Sequence, residues 1–197
     1  MNRLVGLVVV LLVMQGCATR APVIGPEAEQ NWQHRKELLS RQELWQLNGR
    51  VAVWMGEDGW QATLIWQQRA DAYQLRLIAP LGQGVVEMRG DDGYALLRDT
   101  EGNIHTAENR EELIYRHLGW RLPVTGLHYW VLGIPSPAGV SETRIDAMGR
   151  LEYLQQAGWD IHYDRYKTVD ALDLPARILL ENDEIRVRLV IDQWQLG

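Results

Sequence analysis

Few residues of this chain stand where side chains do chemistry. The five histidines, His34, His105, His117, His128 and His162, show no spacing that would gather them around a metal ion. The single cysteine, Cys17, has no partner for a disulfide or a thiolate cluster. Ser40, Ser136 and Ser141 lie outside any Gly-x-Ser-x-Gly elbow, and no Gly-Lys-Ser/Thr loop is present to cradle a phosphate. Gly82-Gln83-Gly84 is too short a glycine signal for a nucleotide. The 26 acids fall mostly in turns and at helix starts rather than in paired catalytic positions. The chain is expected to bind rather than catalyse, with no metal and no cofactor.

Cys17 is the exception. It ends, with Gly16, a segment that opens on Asn2-Arg3 and continues as the apolar run Leu4–Met14. That run falls well short of the ~20 residues that span a bilayer as a helix, so it reads as a secretory signal. The plain alternatives for Cys17 are a free thiol in a cleaved segment or a buried core cysteine. A small residue directly before a cysteine, after such a run, resembles the lipobox of bacterial lipoproteins, with Met14 where that motif usually has Leu. The resemblance implies a diacylglyceryl group on Cys17, cleavage before it and acylation of the new amine. An unpaired thiol would be a liability in an oxidising compartment, and a thioether-linked lipid accounts for it. Three acyl chains, at ~0.8 kcal/mol per buried methylene, hold far more firmly than one. Ala18, and not Asp, follows the cysteine; by resemblance to sorting signals this favours the outer membrane, with the protein on its periplasmic face.

Residues 1–16 are thus expected to be a signal and 17–26, with two Pro and one Gly, a lipidated tether. Residues 27–197 are long enough for one domain with a sizeable core. The net charge of −6, more negative once Arg3 is lost, argues against nucleic acid and against charge-driven adhesion to anionic lipid. Nine Trp and no Phe favour broad apolar walls that each carry one hydrogen-bond donor.

The spacing predicts a helix over 27–43, where Trp32, Arg35, Leu38, Leu39 and Gln42 recur at three and four residues. From Leu44 the period changes to two. Strands are expected at 44–55, 60–67, 73–79, 85–89, 94–98 and 104–106, with turns at Glu57-Asp58-Gly59, Asp91-Asp92-Gly93 and Glu101-Gly102-Asn103. Such tight turns join antiparallel neighbours, so these strands form a meander. Helices follow at 107–119, acidic at its start with His117 near its end, and at 125–133 between Pro123 and Pro135. Five more strands are expected at 142–147, 150–156, 159–166, 176–182 and 184–194. One loop is unlike the rest: Pro80-Leu81-Gly82 sets an apolar side chain where the other turns are polar. Spacing alone favours Leu81 folding back to plug the core; an exposed prong would forgo ~1.5–3 kcal/mol of burial.

Several segments together resemble the LolB family of outer-membrane lipoproteins: Gly16-Cys17, LNGRVAV at 47–53, LIWQQ at 64–68, YQLRL at 73–77, APLG at 79–82 and LHYWVLGIP at 127–135. The stretch 159–166 and the closing strand are also similar. The resemblance covers nearly the whole mature chain. It implies an unclosed antiparallel β-barrel of about eleven strands with a helical lid over an apolar cavity. It implies an acceptor of acylated lipoproteins from the periplasmic carrier LolA, releasing them into outer-membrane lipid, and a monomer. It carries a projecting Leu, important for release, onto Leu81, which reverses the plug reading. Cavity-facing candidates are then Val51, Val53, Leu64, Trp66, Leu75 and Leu77, together with Val86, Met88, Trp130, Val187 and Leu189. A lipid-anchored envelope scaffold that binds protein with the same barrel is the alternative.

Overall fold

The computed structural model describes residues 25–118 and 123–197; the signal segment, Cys17 and the tether up to residue 24 lie outside the described residues. Helix α1 (Pro26–Ser40) begins at Pro26, the last residue assigned to the tether by sequence. Proline suits this first helical position because its missing N–H would have no partner there. Six strands follow: β1 (Leu44–Met55), β2 (Asp58–Arg69), β3 (Ala72–Ile78), β4 (Val85–Gly90), β5 (Ala95–Arg98) and β6 (Ile104–Ala107). Then come α2 (Arg110–Leu118) and α3 (Val124–Leu132). The chain closes with β7 (Ser141–Ile145), β8 (Leu151–Gln156), β9 (Trp159–Val169), β10 (Leu172–Glu181) and β11 (Ile185–Leu196).

All eleven strands form one sheet in the order β6-β5-β4-β3-β2-β1-β11-β10-β9-β8-β7. The first half is the expected meander, the second half is a meander as well, and the two meet where β1 pairs with β11, from Trp45↔Leu196 to Met55↔Ile185. The end strands β6 and β7 are not paired with each other, so the barrel is unclosed. Along β1 burial alternates strictly from Trp45 through Val53, which sets Leu47, Val51 and Val53 inward.

Three local expectations are corrected. The first hairpin turns at Gly56-Glu57, with Met55 paired to Asp58, because Gly56 (φ 60) supplies the left-handed backbone that Gly59 does not. Strand β9 runs on to Val169, and β10 starts at Leu172 and not at 176. The hairpin between them turns on Asp170 (φ 47) and Ala171 (φ 66), neither of them glycine, and Pro175 is absorbed at a register shift.

Because neighbours are antiparallel, the turns fall at two ends. The loops 56–57, 79–84, 99–103 and 182–184 share one end; 70–71, 146–150 and 170–171 share the other. Helix α1 closes the second end, burying Ala28, Trp32 and Leu39 in the same core as Trp45, Leu47 and Leu151. Gly149 permits that closure. Its φ is +76, and a Cβ there would lie 2.6 Å from the Ala28 carbonyl oxygen and 2.7 Å from the Trp32 nitrogen. Gly149→Ala is expected to lower stability by at least ~1–2 kcal/mol from the left-handed backbone alone. A drop in urea midpoint with an unchanged slope would show it.

Candidate functional site

The inward faces of the first meander and the undersides of two helices enclose a hollow of about 550 Å³. Ten of the eleven candidate positions line it: Val51, Val53, Leu64, Trp66, Leu75, Leu77, Val86, Met88, Val187 and Leu189. They meet because cross-strand rows stack inward residues side by side; Leu64 pairs with Leu77, and Leu77 with Val86. Leu75, Leu77 and Val86 are only half-buried, as expected of walls that face empty space.

Trp130 is a correction. It is fully buried and lines no part of the hollow. Its indole N–H donates to Gln156 Oε1 at 2.9 Å, an oxygen that also accepts the Ser136 amide at 2.9 Å. Gly126, one helical turn earlier, leaves room for the ring, since a Cβ there would meet it at 2.8 Å. Trp130 therefore fastens α3 to the second meander, and the helix offers Leu127 and Val131 to the hollow instead. Sequence reasoning missed these two, together with Trp60, Ala62, Ile114 and Leu180. Trp60 and Ala62 follow from the alternation that gave Leu64; the helical pair depended on which helix face looks down.

Helices α2 and α3 form the roof. Leu113 packs with Ala95 and Leu97, and Ile114 with Tyr73 and Met88. Arg110 ties the start of α2 to the β4–β5 turn through Asp92 at 2.6 Å, its guanidinium 5.2 Å above the Tyr73 ring. Burial pushes the Tyr73 hydroxyl up to about 12 despite Arg110, so it stays neutral behind Met88 and Ile114. Glu111 joins the two helices by accepting the Thr125 hydroxyl at 2.8 Å. On α3 burial holds His128 below the ordinary imidazole range, against the Trp45 ring. The roof itself offers Ile114, Leu127 and Val131 to the hollow, all uncharged.

At the far end of α2, the His117 ring packs tilted against His105 with centroids 4.1 Å apart, and His105 Nε2 lies 3.1 Å from Asp99. His105, then Asn103, hold the Asp99 carboxyl down at about 2. A carboxylate depressed in the fold below its usual ~3.9 stabilises at pH above that value and loses its contribution as pH falls toward the folded value. The β5–β6 turn is therefore expected to loosen between about pH 4 and pH 2. Hydrogen exchange at the Glu101 and Asn103 amides, each donated to Asp99 Oδ1 at 2.9 Å, would rise there, and in Asp99→Asn it would already be raised at neutral pH.

The rim of the hollow carries the odd loop. Pro80–Gly82 forms a single 3-10 turn, with Ala79 and Gly84 joined across its base at 3.0 Å. Leu81 stands at φ 58, ψ 17 and is 96% exposed, so it projects and does not plug the core. A non-glycine residue held left-handed costs ~1 kcal/mol or more, on top of the burial forgone. Pro80 and Gly84 border the hollow directly, which puts the prong at its mouth. Among the described residues, no group of three or more His, Cys, Asp or Glu is arranged for a metal ion.

Known proteins are similar to this one in sequence or in architecture. A family model described as outer membrane lipoprotein LolB matches residues 43–194. The chain is 42% identical to the outer-membrane lipoprotein LolB of Nitrosococcus oceani over 189 residues, 95% of this chain and 94% of that protein. It is 37% identical to the outer-membrane lipoprotein LolB of Pseudomonas aeruginosa over 188 residues, 94% of this chain and 92% of that one. Among solved structures, a LolA superfamily protein from Nitrosomonas europaea superposes with TM-score 0.52 at 8% identity, covering 88% of this chain and 94% of that chain. A DUF1329 family protein from Desulfovibrio piger superposes with TM-score 0.50 at 5% identity, covering 87% and 93%. At those identities the structural likeness speaks for the fold alone. The sequence likeness runs through every strand that walls the hollow and through both helices above it, and on that footing the chain belongs to the LolB family of outer-membrane lipoproteins.

Proposed function

We propose that this protein accepts lipoproteins from the periplasmic carrier LolA by taking their acyl chains into the hollow, and releases them into the outer membrane. It does so without catalysis, tethered to the periplasmic face of that membrane through acylated Cys17. The observation that carries the reading is an apolar, roofed hollow with an exposed, strained Leu81 at its lip. Hydrocarbon enters such a space because leaving water is favourable by ~0.8 kcal/mol per methylene. Polar side chains in the wall would remove that gain, and nearly every residue there is apolar. Directional transfer then needs only a series of holders, each tighter than the last. A difference of ~1.4 kcal/mol shifts occupancy tenfold. The membrane, as the deepest holder, draws the cargo onward, and Leu81 is the side chain placed to reach it.

The test is a mixing assay. Lipoprotein-loaded LolA is incubated with this protein, and cargo is followed onto it and then into vesicles. Cargo that stays on the carrier, with the hollow remaining empty, removes the reading. Association through the sheet's outer face with no acyl-chain uptake would point to a scaffold.

A further inference from the structure

The hollow has a floor and a fixed depth. Strand β2 enters it at Trp60, near the rim, and contributes its deepest lining residue at Trp66. Trp66 stands in register with Leu75, Leu75 with Met88, and Met88 with Leu97, so one cross-strand row lines the hollow from Trp66, its deepest member, up toward the 99–103 turn. Below Trp66 the protein is solid. Trp45 packs on Trp66 with centroids 5.0 Å apart and on Trp194 at 5.6 Å, and Leu47 beside them is fully buried. The Trp66 ring is held in place, its N–H donating to Gln68 Oε1 at 3.1 Å while Gln68 Nε2 donates to the Ala70 carbonyl at 2.6 Å.

Two measures of this space agree. From Trp60 to Trp66 the strand advances roughly 20 Å at ~3.3 Å per residue. An extended hydrocarbon gains about 1.3 Å per carbon from bonds of ~1.5 Å, so that depth admits about 16 carbons. By volume, an apolar cavity of ~150 Å³ holds one benzene, or ~25 Å³ per carbon. The 550 Å³ available therefore suits about 20 carbons, less than half of what three such chains would need. Among the described residues the rim carries the polar groups: the turn holding Asp99 and Glu101 stands beside it, whereas the floor offers a head group nothing polar.

We infer that in this closed form the hollow takes one unbranched acyl chain of about 16 carbons, tail first, and that Trp66 is the stop that sets its length. The inference rests on the acyl-chain reading above and narrows it. A cargo with three chains leaves two of them outside this space until the roof lifts.

The experiment titrates the full-length Cys17→Ala chain with straight-chain fatty acids from octanoate to eicosanoate, read by native mass spectrometry and by competition with a fluorescent acid. Affinity is expected to rise roughly fourfold per methylene up to palmitate and then level off. Palmitate is expected to bind one per protein, tail inward, with its carboxylate at the rim. Trp66→Ala is expected to move the plateau to longer acids. Met88→Ala, in the same row and less demanding of the fold, serves the same end if Trp66→Ala does not fold. Two or more palmitates per protein, or affinity still climbing at eicosanoate, would overturn the single-chain inference while leaving the acyl-chain reading in place. A plateau unmoved in the folded variants would overturn the stop. No binding of any acid would overturn the parent reading and this one with it.

Discussion

Leu81→Glu is expected to accept cargo from the carrier as the wild type does and to deliver it to vesicles roughly thirtyfold more slowly, since losing ~2 kcal/mol of apolar insertion costs about that factor. The side chain is almost wholly in water, so nothing in the fold depends on it. Thermal stability should therefore be unchanged. The left-handed backbone at Leu81 tolerates Glu no worse than Leu, because both carry a Cβ and the turn is held by main-chain bonds at Ala79, Gly82 and Gln83. Mutant protein should accumulate with cargo aboard, detectable by pull-down after mixing with loaded carrier and vesicles. Delivery at the normal rate would show that the exposed leucine has no part in release and leave the hollow's role standing.

Trp130→Ala is expected to cost about 3–5 kcal/mol, the range for deleting a fully buried large aromatic ring. Domains of this kind have ~5–15 kcal/mol in total, so a large share of the molecules would be unfolded or loosened at physiological temperature. The loss has three parts: the ring's packing between Gly126 and the second meander, the indole bond to Gln156, and the anchoring of α3, whose backbone carbonyl at Trp130 accepts the Tyr163 hydroxyl at 3.0 Å. Leu77→Ala makes the contrast. Leu77 already faces empty space on one side and should cost under ~2 kcal/mol, because little new cavity surface is created. Urea denaturation of both variants checks the pair. Equal costs would mean that the hollow is packed as tightly as the core behind α3.

How far the sequence could be read depended on which rule governed each residue. Period-two alternation is local, so which residues of the first meander and of β11 share a face could be read from spacing and holds in the structure, whereas spacing does not say which of the two faces looks inward. Trp130 failed because a helix of nine residues, apolar on nearly every side, does not reveal which face looks down. The hairpin at Asp170-Ala171 failed because left-handed turns are recognised by glycine or asparagine, and alanine at φ 66 carries no such mark. Leu81 was ambiguous from spacing for a physical reason. Burial energy favours the plug, and only a role outside the fold explains why a leucine stands in water. Residues 119–122 between α2 and α3, and everything before Gly25, bear on lid and anchor but lie outside the described residues.

The pairing of β1 with β11 has a consequence for biogenesis. Strand β1 must wait for β11, far along the chain, and contacts so distant in sequence are slow to form. Until that partner arrives, the leading strands offer an unmet ladder of N–H and C=O groups beside a sticky face, which invites aggregation. Export of this chain thus exposes the greasy surface it later hides, and deleting the last dozen residues should leave two half-sheets with no seam between them rather than a shortened protein.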